Sequence, residues 1–331
     1  MTITTLPPPP LGAPSVDPIS VNAAPPELGP LPQTTSGRVI TALVLSIPAL
    51  CGVIAFAGLV AGVFPSLTTM LMAVVLYVVT GFGVTAGFHR LFTHRGFTAS
   101  RPLRIALAVA GSAAMQGSLE SWVANHRLHH RRADQPGDPH SPWAPSHADG
   151  RRSPRRTWKG ARHSHIGWLF TSPAAPVERY AADIRRDPDL HTISRAFPLI
   201  VVAGFALPFV LGWVLGGTIV AGLWAAVWAG GVRILALQHV TSMINSVCHL
   251  WGSKPFESED ESRNVAWLAV PSFGESHHNA HHHSPSLARH GRLPGDLDPT
   301  AWLISRFERL GWATSVRWPT PEGRSEVPRE R

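Results

Sequence analysis

Three long uncharged stretches constrain the fold of this 331-residue chain more than any other feature of its sequence. No charged residue occurs from Val39 to Phe64, from Ser66 to Phe88 or from Ala196 to Val232. A helix rises about 1.5 Å per residue, so about 20 residues cross the roughly 30 Å hydrocarbon core of a bilayer. The third stretch is too long for one span, and Gly216 and Gly217 offer a break within it. We therefore predict two helical hairpins, with spans at about 39–64, 66–88, 197–215 and 218–240.

The composition favours a membrane protein over an ordinary soluble enzyme. Only 15% of the residues are charged, against roughly 25% in soluble domains, and 44% are hydrophobic. A buried helix pair in a soluble protein is the alternative, and four apolar spans argue against it. The two cysteines, Cys51 and Cys248, cannot build a disulfide framework, which excludes a small secreted fold held by disulfides. The predicted fold class is an all-α integral membrane protein with a cytoplasmic helical cap.

The remaining segments divide the chain around this membrane domain. Residues 1–37 contain ten prolines and few residues that could build a core, so we predict a disordered tail. The membrane domain is predicted at 38–295, with an inserted basic loop at 141–160 and a C-terminal cytoplasmic tail at 296–331. The segment 89–195 holds 17 Lys and Arg residues against 8 Asp and Glu residues. By the positive-inside rule, both polar segments after the hairpins and both termini are expected in the cytoplasm.

Eighteen histidines form the second unusual feature, and they are clustered. None lies in the first 88 residues, and most fall in four motifs: HRLFTH from His89, HRLHH from His126, NSVCH ending at His249 and HHNAHHH from His277. Residues three and four apart share one face of a helix, so the repeated HxxHH spacing points three imidazoles in one direction. Neutral imidazole is the commonest metal ligand in proteins, and we therefore predict metal binding.

The number of clustered imidazoles indicates two metal ions. The two HxxHH boxes, the HRLFTH motif and His249 supply nine imidazoles, and one tetrahedral zinc ion needs about four ligands. Nine ligands fit two ions with four or five nitrogens each. The five-residue step from His89 to His94 turns an α-helix by roughly 140°. Unless the helix ends there, this pair would not share a face, but it could reach two different metals.

Other chemistries have little support in the sequence. The zinc-peptidase motif HExxH and the serine-hydrolase elbow G-x-S-x-G are absent. A carboxylate-bridged di-iron bundle needs paired Glu-x-x-His motifs, and only Glu275 and His278 have that spacing. A non-enzymatic metal-binding membrane protein, such as a transporter, predicts ionisable residues within the spans, where only Arg233 occurs. A histidine-rich dinuclear centre just beneath the bilayer remains, and iron is the natural metal for O₂-dependent oxidation of a lipid chain.

These motifs resemble the histidine boxes of the membrane fatty acid desaturases, most closely those of the Δ9 acyl-CoA and acyl-lipid branch that includes stearoyl-CoA desaturase. The resemblance covers about residues 40–295 and extends to the flanking sequences WVANHR, DPH, SHIGW and ARHG. It implies an enzyme that uses O₂ to introduce a cis double bond, expected at Δ9, into a saturated acyl chain held as a CoA thioester or a lipid. A fatty acyl hydroxylase or oxygenase on the same scaffold is the alternative.

The resemblance also implies a set of site residues. Asn245, four residues before the lone histidine, is expected to reach a metal through a water molecule. Trp122 is a candidate for the wall of a substrate tunnel, with an interfacial aromatic anchor as the alternative reading. His239 and His277 are candidate neighbours of the ligands. The nine implied ligands of two iron ions are His89, His94, His126, His129, His130, His249, His278, His281 and His282.

The chain departs from the animal acyl-CoA members of the family where those hold coenzyme A. An Arg-Asp pair is replaced by Ala124-Asn125, and a group of basic residues is replaced by Thr171-Ser172-Pro173. The head group of the substrate therefore stays open among CoA, a carrier protein and a lipid. The His-Pro-Gly-Gly haem motif of a fused cytochrome b5 is absent, so a separate ferredoxin-type or flavin reductase is the expected electron donor. No nucleic acid is expected as a partner.

Overall fold

The computed structural model describes residues 34–143 and 154–320, and most of them are helical. The membrane hairpins comprise α1 (Thr35–Val60), α2 (Leu67–Phe82), α10 (Phe197–Gly216), α11 (Ile219–Ala225) and α12 (Arg233–Leu250). The remaining α-helices are α3 (Arg101–Ser112), α4 (Leu119–Arg132), α5 (Pro154–Arg162), α6 (Trp168–Thr171), α7 (Val177–Tyr180), α8 (Ala182–Arg186), α9 (Pro188–Arg195), α13 (His278–His283) and α14 (Pro299–Arg309). Wider π-helical turns occupy Gly83–Thr93, His163–Gly167 and Ala226–Val232, and a 3₁₀ turn occupies Ala266–Leu268. Two short strands, β1 (Thr98–Ala99) and β2 (Ala313–Thr314), pair antiparallel.

Four helices in the described part of the chain are long and apolar enough to cross a membrane. They are Gly37–Val60, Leu67–Thr93, Phe197–Gly216 and Ile219–Leu250. This confirms the predicted fold class, a mostly helical protein with four spans in two hairpins. The second and fourth helices have 27 and 32 residues, which corresponds to about 40 Å and 48 Å at about 1.5 Å per residue. Both therefore extend beyond a bilayer core of about 30 Å, and both carry histidines at the projecting end.

Side-chain caps explain where the spans begin. The Ser66 hydroxyl accepts a hydrogen bond from the Thr69 amide at 3.1 Å and starts α2. The Thr218 hydroxyl accepts one from the Ala221 amide at 3.1 Å and starts α11. Each cap satisfies a backbone donor that the first turn of a helix leaves unpaired. Between α10 and α11, Gly217 adopts φ of 69°, a left-handed conformation that glycine accepts without steric cost.

Small residues allow the spans to pack closely. A Cβ atom added to Gly212 of α10 would lie 2.4 Å from the Cβ of Ala225, and one added to Gly231 would lie 2.2 Å from the Cβ of Cys51. A Cβ on Gly83 would lie 2.2 Å from the backbone of Gly111 in α3. Close approach of backbones is the usual basis of helix association in membranes. These contacts fix the two hairpins and α3 against one another, and so fix the ends that carry the histidines.

The predicted C-terminal tail at 296–331 is wrong for the residues up to 320. Helix α14 packs on the second span, where the buried hydroxyls of Thr300 and Thr85 lie 2.8 Å apart. Further on, the Ala288 amide donates to the Arg317 carbonyl and the Arg317 amide donates to the Gly96 carbonyl, each at 2.9 Å. This packing was not predicted, because in sequence a short amphipathic helix that packs on a cap resembles an ordinary polar tail. Residues 321–331 lie outside the described part of the chain.

Two other predicted segments are partly described. The proline-rich tail was placed at residues 1–37, and α1 already begins at Thr35; residues 1–33 lie outside the description. The last seven residues of the predicted basic loop at 141–160 are helical, because α5 begins at Pro154. Residues 144–153 of that loop also lie outside the description. We call the described residues 94–143, 154–195 and 251–320 the cap.

Candidate metal centre

Nine histidines from four parts of the chain meet where the long spans enter the cap. The first group has five imidazoles, contributed by the end of the second span, α4 and α13. The second group has four, contributed by α4, α12 and α13. Within each group, one nitrogen of every ring lies within 4.8 Å of the others. The first group consists of His89, His94, His126, His130 and His281, and the second consists of His129, His249, His278 and His282.

Ring nitrogens converge at short distances inside the first group. The Nε2 atom of His281 lies 3.1 Å from Nε2 of His89 and 3.0 Å from Nε2 of His130. Nε2 of His130 lies 3.1 Å from Nε2 of His126. The fifth member, His94, has a buried Nε2 with no hydrogen-bond partner among the described residues. A buried polar atom without a partner needs an explanation, and a cation held by these nitrogens supplies one.

The second group repeats this convergence with fewer rings. The Nε2 atoms of His249 and His278 lie 3.0 Å apart, and those of His129 and His282 lie 3.3 Å apart. The helical spacing explains how two groups form side by side. On α4, His126 and His130 are one turn apart and serve the first group, while His129 serves the second.

The prediction for HRLFTH needs a correction, because His89 and His94 lie in the same group instead of reaching two different metals. The second span widens into a π-helix over Gly83–Thr93. The His94 amide donates to the His89 carbonyl at 3.1 Å, a bond between residues five apart. A π-helical turn brings residues i and i+5 to the same face, and the two ring centroids are 4.8 Å apart. The prediction failed since it assumed α-helical geometry.

Four carboxylates orient the ligand rings, and sequence reasoning missed them. The Nδ1 atom of His129 lies 2.9 Å from Asp138, that of His249 lies 2.8 Å from Asp134, and that of His282 lies 2.6 Å from Asp260. Glu275 contacts Nδ1 of His89 in the same way. When Nδ1–H donates to a carboxylate, Nε2 is left as the metal-binding atom and becomes a stronger base. The one sequence signal was the Asp-Pro-His motif, which contains Asp138.

The electrostatics of the centre favour neutral, metal-ready imidazoles. Burial, together with neighbouring histidines, holds the pKa of His126, His130 and His281 well below the ordinary value of 6.5. Burial also lowers the pKa of His282, to about 4, although the Asp260 carboxylate works in the opposite direction. Burial alone would raise the pKa of Asp134, but its contact with the His249 ring lowers that pKa to about 2. Neutral imidazole and ionised carboxylate are the forms that metal coordination requires.

A buried arginine ties the first group to the C-terminal part of the cap. Arg90 is fully buried and donates from Nε and Nη2 to one oxygen of Glu275, at 3.1 and 2.9 Å. Its Nη1 donates to the Asp298 carboxylate at 3.1 Å and to the Ala288 carbonyl at 2.7 Å. Asp298 also caps α14 by accepting from the Ala301 amide at 2.9 Å. His89 is therefore held through a chain of charged groups that ends at α14.

An apolar cavity opens beside the two groups. Trp122 lines it and stacks on His126, with ring centroids 4.9 Å apart and an interplanar angle of 28°. Asn245 and His278 line it as well. In the same wall, the Gln116 amide donates to the Thr241 hydroxyl at 2.9 Å. The other lining residues include Val84, Thr85, Leu237, Val240, Ile244, Ser272 and Phe273.

The imidazole rings of the candidate neighbours His239 and His277 are hydrogen-bonded to groups other than the nine clustered histidines. His239 is half-buried, and its Nδ1 lies 2.9 Å from Nε2 of His165. It precedes His249 by ten residues, about 15 Å along α12, which places it far from the metal groups. His277 is buried, with Nε2 3.0 Å from the Leu297 carbonyl oxygen. The histidine that does pack on the first group is His290, fully buried with its ring 4.3 Å from that of His281.

Comparison with known proteins agrees with this geometry. The family model described as fatty acid desaturase matches residues 65–294. Over 250 residues, the chain is 36% identical to the sn-1 stearoyl-lipid 9-desaturase of Anabaena variabilis, covering 74% of this chain and 83% of the relative. It is 35% identical over 263 residues to Delta-9 acyl-lipid desaturase 1 of Arabidopsis thaliana, covering 77% of each. It is also 37% identical over 238 residues to the hex-5-enoyl-[acyl-carrier protein] acetylenase of Moorena producens (strain JHB), covering 72% of this chain and 73% of the relative.

The family match covers three of the four spans, all nine histidines and all the residues that line the cavity. Each of these relatives shares more than 30% identity with the chain, and the chain covers more than two thirds of its length. The expectation drawn from the histidine boxes is thereby confirmed. The chain belongs to the fatty acid desaturase family.

Proposed function

We propose that this protein uses O₂ to introduce a cis double bond at the Δ9 position of a saturated acyl chain, on a centre of two iron ions. The observation that carries the proposal is the position of the two histidine groups beside an apolar cavity, with His89, His126 and His278 common to the cavity wall and the groups. Removing hydrogen from an unactivated methylene pair needs a strong oxidant, which two iron ions, when bound, would supply from O₂.

The ligand assignment rests on the two groups described above. The five histidines of the first group would hold one ion, and the four histidines of the second would hold the other. Asn245 would complete the second site through a water molecule, because it lines the same cavity as His278 and lies one helical turn before His249. Iron is favoured over zinc, since nitrogen-rich sites with five ligands differ from the tetrahedral sites typical of structural zinc.

The chain's own residues have the task of holding the acyl chain and keeping water out. Apolar side chains from α12, including Leu237, Val240 and Ile244, would contact the methylene groups. Trp122, whose ring is braced by His126 on one face, would set which carbon atoms lie next to the metals. The hydrogen bond between Gln116 and Thr241 would hold the part of the cavity wall that Thr241 forms. Such positioning is the protein's main contribution to reactions whose chemistry a cofactor supplies.

The Δ9 position and the carrier are proposed with support from the relatives. Two relatives are named as 9-desaturases of stearoyl-lipid or acyl-lipid, and another is named as a probable acyl-CoA desaturase. The substrate is accordingly a saturated chain on a membrane lipid or on coenzyme A. We also propose that the cap faces the cytoplasm, as the excess of basic residues in 89–195 suggests. A separate ferredoxin-type or flavin reductase would deliver electrons to that basic face.

Expression in a bacterial host that lacks desaturases, together with a ferredoxin and its reductase as electron donor, tests the proposal. The fatty acids are converted to methyl esters, and the products are identified by mass spectrometry after derivatisation of the double bond. We expect a new cis-9 monoene in cells with the native chain. Hydroxylated acids without an alkene would indicate an oxygenase instead, and an alkyne would indicate the activity that the Moorena relative is named for. If the protein accumulates in the membrane with two irons and no product forms, the proposal is wrong.

A further inference from the structure

A short apolar segment between α12 and α13 carries exposed hydrophobic side chains outside the four spans. Residues 265–274 contain no charged side chain. Trp267 is 67% exposed and Val270 is 58% exposed, comparable with Val75 on the outer face of α2, which is 57% exposed. Large exposed apolar side chains on one short segment indicate a surface that contacts another protein or a membrane. We call residues 265–274 the apolar loop.

Two contacts show how deep the apolar loop reaches. The Tyr77 hydroxyl of α2 donates to the Pro271 carbonyl at 2.8 Å. The ring of Phe273 packs on those of Tyr77 and Phe82, with centroids 5.6 and 4.8 Å away. Counted from Leu67, where the second span begins, Tyr77 is about 15 Å and Phe82 about 22 Å along the helix. Both depths fall within a hydrocarbon core of about 30 Å.

Much of the backbone of the apolar loop is hydrogen-bonded within the protein, which favours insertion at this depth. The Pro271 carbonyl accepts from Tyr77, and the Phe273 carbonyl accepts from the Thr300 amide at 3.2 Å. The Ser272 amide donates to the Leu268 carbonyl at 3.0 Å, and the Gly274 amide donates to the Ala269 carbonyl at 2.7 Å. Non-helical backbone is tolerated at membrane depth only where its polar groups find partners within the protein.

We propose that the apolar loop is inserted into the bilayer, in the leaflet on the histidine side. Val270 contacts the lipid chains, and Trp267 lies at the level of the head groups, where tryptophan is favoured. The occupant of this surface is lipid, because the loop continues the lipid-facing surface of α2 without a charged residue between them. Since Ser272 and Phe273 line the cavity, a single layer of loop residues separates the cavity from the bilayer. The inference does not depend on the reaction proposed above.

Cysteine labelling in lipid nanodiscs tests the insertion. Val270→Cys and Trp267→Cys are compared with Glu259→Cys, an exposed acidic position in the cap, and with Val75→Cys, a lipid-facing position of α2. The unmodified chain gives the background, because Cys248 is fully buried and Cys51 lies within α1. A membrane-impermeant maleimide is expected to label position 270 at least tenfold more slowly than position 259, and about as slowly as position 75. Position 267 is expected to fall between them, and all four should react equally in denaturing detergent.

Spin labels at the same four positions give a second readout that does not depend on thiol reactivity. A label at 270 should collide more often with O₂, which is concentrated in lipid, than with a water-soluble nickel chelate, as a label at 75 does. If position 270 reacts with the maleimide within twofold of position 259, or if its spin label meets the nickel chelate as readily as a label at 259, the loop is in water and the inference is wrong.

Discussion

Glu275 offers a sharp test of the metal centre, because this single carboxylate contacts the ligand His89 and the buried Arg90. In Glu275→Gln the side chain keeps its size but loses its charge, so it cannot accept from both His89 Nδ1–H and the two N–H groups of Arg90. Groups that orient a metal ligand typically contribute 10- to 100-fold to metal affinity, which corresponds to about 1.4–2.7 kcal/mol. Arg90 retains Asp298, 3.0 Å from its Nη1, so the fold should suffer less than the 3–5 kcal/mol typical of a broken buried ion pair.

Metal content after chelator treatment is the assay for this variant. Purified protein is equilibrated with increasing concentrations of an iron chelator, and iron per chain is measured by mass spectrometry. The Glu275→Gln protein should lose about half of its iron at a chelator concentration 10- to 100-fold below that needed for the native chain. Asp296→Asn is the matched control, since it removes a nearby carboxylate that accepts from the Leu293 amide and orients no ligand. If both irons of Glu275→Gln withstand the chelator as in the native chain, the assignment of His89 and its carboxylate is wrong.

Four further predictions follow from the same contacts. His129→Ala should abolish product and leave the protein in the membrane, as immunoblots of membrane fractions and lipid profiles would show; retained activity contradicts the assignment of His129. Asp298→Ser keeps a residue able to cap α14 but cannot reach Arg90 or the amides of His290 and Gly291, so iron should be lost up to about tenfold more readily and the melting temperature should fall; unchanged iron retention argues against the Arg90 link. Trp122→Ala should spread the double bond over several positions, and a single unshifted product would show that Trp122 does not set them. The metal-free protein should melt at a lower temperature as the pH falls from 7.5 to 5.5. The pKa values of His126 and His130 are lowered in the folded chain, so below pH of about 6.5 the unfolded chain binds protons that the folded chain does not. Each of these histidines then lowers the free energy of unfolding by up to about 1.4 kcal/mol per pH unit. A melting temperature independent of pH would contradict neutral, buried rings.

Much of the fold was readable because membrane spans follow from composition alone. The uncharged stretches located all four spans, and their ends differ from the structure by a few residues at most for three of them. The fourth helix runs to Leu250, ten residues beyond the predicted end. The polar residues after Val240 suggested a boundary, but they lie on a helix that continues into the cap. The hydropathy of a sequence predicts where a helix leaves the hydrocarbon core of the membrane. It does not predict where the helix itself ends.

The sequence predicted which histidines form the metal centre, but it did not predict how they divide between the two groups or which carboxylates contact them. The spacing of HxxHH indicated that each box presents one face, and the structure brings the nine histidines together. Assignment of His89 and His94 to one group depended on a π-helix, which residue counts do not reveal. The carboxylates on Nδ1 come from residues such as Asp260 and Glu275, scattered through loops. Their roles depend on long-range contacts, and no local pattern marks them.

A single-turnover experiment tests the central claim most directly. The protein, purified in nanodiscs, loaded with iron and chemically reduced without oxygen, is given a saturated 18-carbon substrate and then a pulse of ¹⁸O₂. Two reduced irons supply two electrons, which with two hydrogens from the chain and two protons convert O₂ to two waters. We predict up to one cis-9 alkene per two irons, with no ¹⁸O in the fatty product. An ¹⁸O-labelled hydroxy acid, or no oxidised product from protein that holds two irons, would contradict the account.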